Sequence, residues 1–170
     1  DRVRRATVDM KTTIEMFLCL ARENEDALND EHFLVKSIVS HAIEQHRHLL
    51  NGKSIEINID DIANPSVCGH PQAFSIAVNN LVRNAFEHTL SGQGPIKITV
   101  KASGLLITNR INAGTDEINP ADETPSTHGY GLGLGIVQRV CERHGWQFSL
   151  HADEGYVTTS ISWASLNNSL

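Results

Sequence analysis

Two pairs of β-patterned segments, each joined by a turn too short to hold a helix, limit this chain to a mixed sheet. "PIKITVKASGLLITNRI" alternates Ile96, Ile98 and Val100 with polar residues, turns near Ser103–Gly104, and resumes at Leu105 and Ile107. "WQFSLHAD" and "YVTTSISW" form a second such pair. Strands linked so closely run antiparallel, because a parallel pair needs a long crossover. A doubly wound parallel fold is therefore excluded. "SIEINIDD" adds a half-buried strand with Ile55, Ile57 and Ile59 in phase, and "NPSVCGHP" reads as a loop with a short strand through Val67.

Helical spacing fills the gaps. A helix is expected from about Phe33 to Leu50, with Val35, Ile38, Val39, Ala42, Ile43 and Leu49 inward, ended by Asn51–Gly52. Another starts at Pro71 and runs to about Thr89, burying Phe74, Ala77, Val78, Leu81, Val82 and Ala85. A third covers about Leu132 to His144. The order predicts an α/β protein, a two-layer sandwich with a mixed sheet and helices on one face. Before it, Val3, Ala6, Met10, Ile14, Phe17 and Ala21 recur at three- and four-residue steps. That near-heptad stripe suits a partner helix, as in a dimer, and packing on the domain that follows is the other reading. The expected division is a helical segment over 1–28, a folded domain over 29–165 and a polar tail over 166–170. Opening inside a helix, with no initiator Met, the chain reads as a piece of something longer.

Composition narrows the function classes. A formal net charge of −6 argues against wholesale nucleic-acid binding. Cys19, Cys68 and Cys141 are widely spaced with no C-x-x-C pair, which suggests neither a zinc ribbon nor a disulfide framework and fits a reducing compartment. No apolar run approaches the ~18 residues of a membrane span.

Two motifs carry chemistry. "HGYGLGLGIVQRVCERHG" spaces Gly129, Gly131, Gly133 and Gly135 alternately into a helix, although glycine costs about 1 kcal/mol against alanine in a helix interior. It lacks the lysine of a P-loop and the third glycine of a dinucleotide fingerprint. Bare backbone N–H groups at a helix start suit an anion, and a close packing corner is the other reading. "NNLVRNAFEHT" sets Asn80, Asn84 and His88 at i, i+4 and i+8, one polar ridge on an apolar helix. It is either a solvated face or a ligand face. Amide oxygens are hard donors that suit Mg²⁺. Between the motifs, Asn112 to Thr127 is acidic and aperiodic, a long loop.

"NNLVRNAFEHT" resembles the N box, and "HGYGLGLGIVQRVCERHG" the G2 box, of the GHKL (Bergerat-fold) ATPases, specifically the catalytic domain of two-component sensor histidine kinases. "RRATVDMKTTIEMFLCLAREN" is similar to the second helix of their dimerisation and phosphotransfer domain. The resemblance implies ATP and Mg²⁺ as ligands, with Asn84 on the metal and Asn80 lining the same site. It implies that Gly129, Gly131 and Gly133 meet the triphosphate, that Leu132 and Leu134 pack beneath, and that Thr158 lies near the adenine pocket. In hydrolysing relatives of the gyrase, Hsp90 and MutL types a glutamate stands at the Asn80 position. An amide cannot accept a proton, so Asn80 points to phosphoryl transfer over hydrolysis.

The sequence departs from the family pattern at three places. "ITNRINAG" puts Asn109 where the G1 box has its adenine-reading Asp. The loop "NAGTDEINPADETPST" carries no Arg or Lys, leaving Arg110 as the nearest cation for the γ-phosphate. Glu87 stands at an N-box position that is often basic. The implied protein is a protein-histidine kinase, homodimeric when complete and cytoplasmic in this part, anchored at the inner membrane. Its partners are its own dimerisation domain and a response regulator. The alternative is a degenerate, non-enzymatic docking domain. His41, His46 and His48 are expected to be solvated, and His144 and His151 to be surface or satisfied polar residues.

Overall fold

The computed structural model describes residues 30–61, 63–111 and 132–164, together with Met10 and Ile14. Five strands form the main sheet: β2 (Ile57–Asp61), β4 (Ile96–Lys101), β5 (Gly104–Arg110), β7 (Tyr156–Ser162) and β6 (Gln147–Asp153), in that spatial order. Only β2 and β4 pair in parallel; the other three pairs are antiparallel. The sheet is mixed for the reason the short turns require. At the β6–β7 turn, Glu154 and Gly155 both have positive φ (45° and 82°), the two-residue geometry that matches strand twist.

Three helices lie against the sheet: α1 (Val35–His46), α2 (Pro71–His88) and α3 (Leu132–His144). The two-residue period of each strand decides what they cover. Ile96, Ile98, Val100, Leu105, Ile107, Val157 and Ile161 are buried beneath the helices. The alternate residues make the other face polar: Lys97 pairs with Asp60 at 3.1 Å, Thr108 with Thr158 at 2.9 Å, and Ser149 with Ser160 at 2.7 Å. One solvated face is what a largely antiparallel sheet tolerates.

Aromatic residues close one end of the core. Phe74 of α2 is fully buried, its ring centroid 5.1 Å from Phe33, 5.2 Å from Trp146 and 5.7 Å from Trp163. Helix α2 is held at both ends. The His70 ring accepts a hydrogen bond from the Ala73 N–H at its start. At its finish Lys53 Nζ donates to the carbonyls of Phe86, Glu87 and Thr89 at 2.8, 3.2 and 3.1 Å, a cation on the negative helix end.

Two expectations need correction. The first helix of the domain does not begin at Phe33: Glu31–Leu34 is a strand, β1, paired antiparallel with β3 (Ser66–Gly69), and Val35 starts the helix. Phe33 pairs with Val67 and packs on Phe74, so tertiary contacts outweigh local helical spacing. The helix also tightens into a 3₁₀ turn over Arg47–Leu50. His41 and His48 are exposed as expected, but His46 is half-buried, its Nε2–H donating to Asn79 Oδ1 at 3.1 Å. Most of the helical segment over 1–28, the loop after Ile111 and the tail over 166–170 lie outside the described residues.

Burial lowers the His46 pKa below its ordinary 6.5, against the opposing pull of the Asn79 hydrogen bond. Below pH 6.5 the unfolded chain therefore binds more protons at this site than the folded one, so stability falls as pH drops through that window. Urea unfolding at pH 7.5 and 5.5 checks this. His46→Gln, which keeps a donor for Asn79, is expected to reduce the difference between the two midpoints.

Candidate functional site

Helices α2 and α3 face one another across the start of α3, and the polar ridge lies in that seam. Asn80 is 6% exposed. Its Nδ2 donates to the Ile76 carbonyl at 2.8 Å, one turn back, which orients Oδ1 away from the helix axis. A Cβ added at Gly133 would lie 3.1 Å from that Oδ1 and 3.5 Å from Asn84 Oδ1. Glycine at this position therefore keeps two amide oxygens open on one spot. Asn84 Nδ2 is buried and has no hydrogen-bond partner among the described residues. A buried amide left unpaired costs about 1–3 kcal/mol, unless a ligand meets it.

Beside these amides is a narrow cleft. Leu81, Ala85, Leu134 and Val157 supply apolar walls, while Asn84, His88, Asn109 and Thr159 present polar atoms to it. Leu134 is 2% exposed and Asn109 6%. Asn109 lies on the helix-facing side of β5, in phase with Leu105 and Ile107. The structure thus brings together Asn80, Asn84, His88, Asn109, Gly133 and Leu134. Leu132 opens α3, and Gly129 and Gly131 lie outside the described residues.

Two candidate residues are on the wrong side of the sheet. Thr158 points to the solvated face, bonded to Thr108. The threonine in the cleft is Thr159, whose Oγ1 donates to the Ile107 carbonyl at 3.4 Å. A one-residue offset in a strand exchanges faces, so motif position alone could not separate the two. Arg110, one residue past Asn109, is exposed on the opposite face and lies 5.7 Å over the Tyr156 ring, so it offers no cation to the cleft. Glu87 has its own explanation: it pairs with Arg83 one turn earlier at 3.4 Å. His144 stacks on Trp146 at 5.1 Å, and His151 is exposed. Among the described residues no three His, Cys, Asp or Glu side chains cluster as metal ligands.

The two glycines inside α3 separate cleanly. Gly133 abuts the amides, but no described residue lies within 4 Å of a Cβ at Gly135, so close packing among the described residues does not explain it. Gly135→Ala is expected to raise stability by about 1 kcal/mol through helix propensity, leaving ligand affinity unchanged. Gly133→Ala gains the same propensity but pushes a methyl against Asn80. It is expected to lose roughly tenfold or more in nucleotide affinity without loss of melting temperature. Thermal melts and calorimetric titration of both variants check the contrast.

A family described as the histidine kinase-, DNA gyrase B- and HSP90-like ATPases matches residues 69–167, which include both motifs and the cleft. The chain belongs to this family. Its curated relatives are sensor kinases. It is 29% identical over 105 residues to the sensor protein QseC of Escherichia coli K12, and 26% identical over 161 residues to the sensor protein CutS of Streptomyces coelicolor. Those alignments take in 56% and 84% of this chain, but only 23% and 37% of the relatives' lengths. Among solved structures, the cytoplasmic segment of histidine kinase QseC superposes with a TM-score of 0.69 at 20% identity, covering 93% of this chain and 95% of that one. The catalytic domain of histidine kinase ThkA gives 0.63 at 20% identity, covering 81% and 97%. The fold is that of histidine kinase catalytic domains. Among the described residues, no helix is long and apolar enough to cross a membrane.

Proposed function

We propose that this chain binds ATP with Mg²⁺ in the α2–α3 cleft and passes the γ-phosphoryl to a histidine on a dimerisation domain, for relay to a response-regulator aspartate. The observation that carries the reading is the convergence of Asn80 Oδ1 and Asn84 Oδ1 on Gly133, beside the orphaned Asn84 amide. Their amide oxygens are hard donors that would suit a hydrated hard cation. Asn84 would hold it, with Asn80 one turn away. When bound, Mg²⁺ neutralises charge on the triphosphate during in-line transfer.

The chain's own residues then position the substrate. Gly133 leaves room for phosphate oxygens against the two amides, with Gly129 and Gly131 assigned to the same turn by motif. Leu81, Ala85, Leu134 and Val157 form the apolar walls of the cleft. Asn80 supplies an amide where a water-activating carboxylate would be needed, which favours transfer over hydrolysis. Residues 1–28 are assigned to the dimerisation helix, 29–165 to the catalytic domain and 166–170 to a tail. The complete protein is read as a homodimeric sensor of the inner membrane, with this part in the cytoplasm.

Calorimetric titration with a non-hydrolysable ATP analogue and Mg²⁺ tests the site. Incubation with radiolabelled ATP and a separately produced dimerisation domain tests the transfer. Binding and labelling of that domain are the expected results. Failure to bind would favour a docking domain instead, and binding without labelling would mark a degenerate kinase.

A further inference from the structure

We propose that β6, at the edge of the main sheet, pairs antiparallel with β6 of a second copy of this chain, joining the two five-stranded sheets edge to edge. Among the described residues, no strand pairs with the outer side of β6. Natural sheets blunt such edges with Lys, Pro or a bulge. Here "QFSLHAD" has neither Lys nor Pro, and its register with β7 runs unbroken from Gln147–Ser162 to Asp153–Tyr156.

The hairpin fixes which backbone groups are free. The Ile111 N–H donates to the Gly155 carbonyl at 2.9 Å, so Gly155, Val157, Thr159 and Ile161 bond toward β5. Antiparallel residues alternate, so Tyr156, Thr158, Ser160 and Ser162 bond toward β6, where they use Asp153, His151, Ser149 and Gln147. The N–H and C=O groups of Phe148, Leu150 and Ala152 are left pointing outward. Their side chains share the helix side of the sheet yet are only half-buried. Helix α3 stands back from this edge: a groove of about 390 Å³ opens beside the start of β6, lined by Gln138, Glu142, Trp146 and Phe148 among others.

Self-complementarity selects a second copy as the occupant. Pairing centred on Leu150 uses all the outward residues of both strands: Leu150 meets Leu150, and Phe148 meets Ala152 in each direction. A register shifted by two residues leaves at least one of them unpaired. On the helix side, large opposes small across the new junction. On the open side, Gln147 meets Asp153 and Ser149 meets His151, so an amide faces a carboxylate and a hydroxyl faces an imidazole, with no like charges apposed. Such a contact is isologous and closes as a two-fold dimer. None of the residues lining the α2–α3 cleft lies on β6, so the pairing is separate from that site.

Sedimentation velocity of the intact chain, from about 5 to 500 µM to reach weak interfaces, reads the association. Wild type is expected to form a concentration-dependent dimer. Gln147→Asp puts like charges together at both ends of the pairing and is expected to raise the dimer Kd about fivefold or more; Gln147→Lys is expected to lower it by a similar factor. Gln147 is exposed, so both variants should keep the fold, which circular dichroism verifies. Cross-linking reads the register. In a Cys19→Ser, Cys68→Ser background, Ser149→Cys and His151→Cys chains are expected to form a disulfide when mixed but neither alone, because only the mixed pair sets Cα atoms about 4.5 Å apart. A wild type monomeric throughout overturns the inference and leaves the edge to another occupant, such as an extended peptide. A dimer indifferent to both charges also overturns it, placing the association elsewhere, as in the segment over 1–28. Disulfides formed equally by either chain alone overturn it as well.

Discussion

Asn84→Ala is expected to lower the affinity for a Mg²⁺–ATP analogue by about 100-fold or more, equivalent to ~3 kcal/mol. The substitution removes an oxygen aimed at Gly133 together with an amide nitrogen that has no partner among the described residues. Because that nitrogen gives the fold no hydrogen bond among the described residues, the melting temperature should hold or rise slightly. Asn84→Asp separates metal ligation from amide hydrogen bonding: it keeps the oxygen and should retain Mg²⁺-dependent binding, read as the difference between titrations with Mg²⁺ and with EDTA. Equal losses in both variants would move the metal away from Asn84.

The largest effect on stability is expected at Phe74. Its ring packs against Phe33 of β1, Trp146 before β6 and Trp163 after β7, so one side chain joins α2 to three separate parts of the chain. Truncation of a fully buried phenylalanine to alanine costs about 3–5 kcal/mol, from lost transfer energy and the cavity left behind. That is a large share of the ~5–15 kcal/mol by which domains are stable. Urea unfolding should show a much lower midpoint for Phe74→Ala. Because α2 also carries Asn80 and Asn84, nucleotide affinity measured near the melting temperature should fall with it. Phe74→Leu, which fills most of the space, should cost less than half as much.

Much of this architecture was legible because periodicity is a local property. The stripe from Phe74 to Ala85 marks α2 within a residue of its observed end, and the alternation around Ile98 and Ile107 marks β4 and β5. Short turns between those strands required antiparallel pairing, and so a mixed sheet. The ridge of Asn80 and Asn84 and the glycines of the second motif were legible as motifs, with a solvated face and a packing corner as the other readings; the structure sets Gly133 against the two amides.

What escaped was whatever depends on a partner distant in sequence. Glu31–Leu34 becomes a strand because Ser66–Gly69 lies beside it and Phe74 receives Phe33. His46 is half-buried because Asn79 meets it across α1 and α2. Thr158 and Thr159 are indistinguishable by composition, and only the ladder of β7 against β5 decides that Thr159 enters the cleft. The same pleat turns Arg110 outward and Asn109 inward. Gly135 shares the spacing of Gly133, yet only Gly133 abuts the amides, because α3 presents a single face to α2. The sequence by itself determined the elements, the layer arrangement and the two motifs, since these follow from spacing along the chain. The tertiary structure decided which side chain at each motif reaches the cleft, because that turns on strand register and helix facing, set by contacts between residues far apart in sequence.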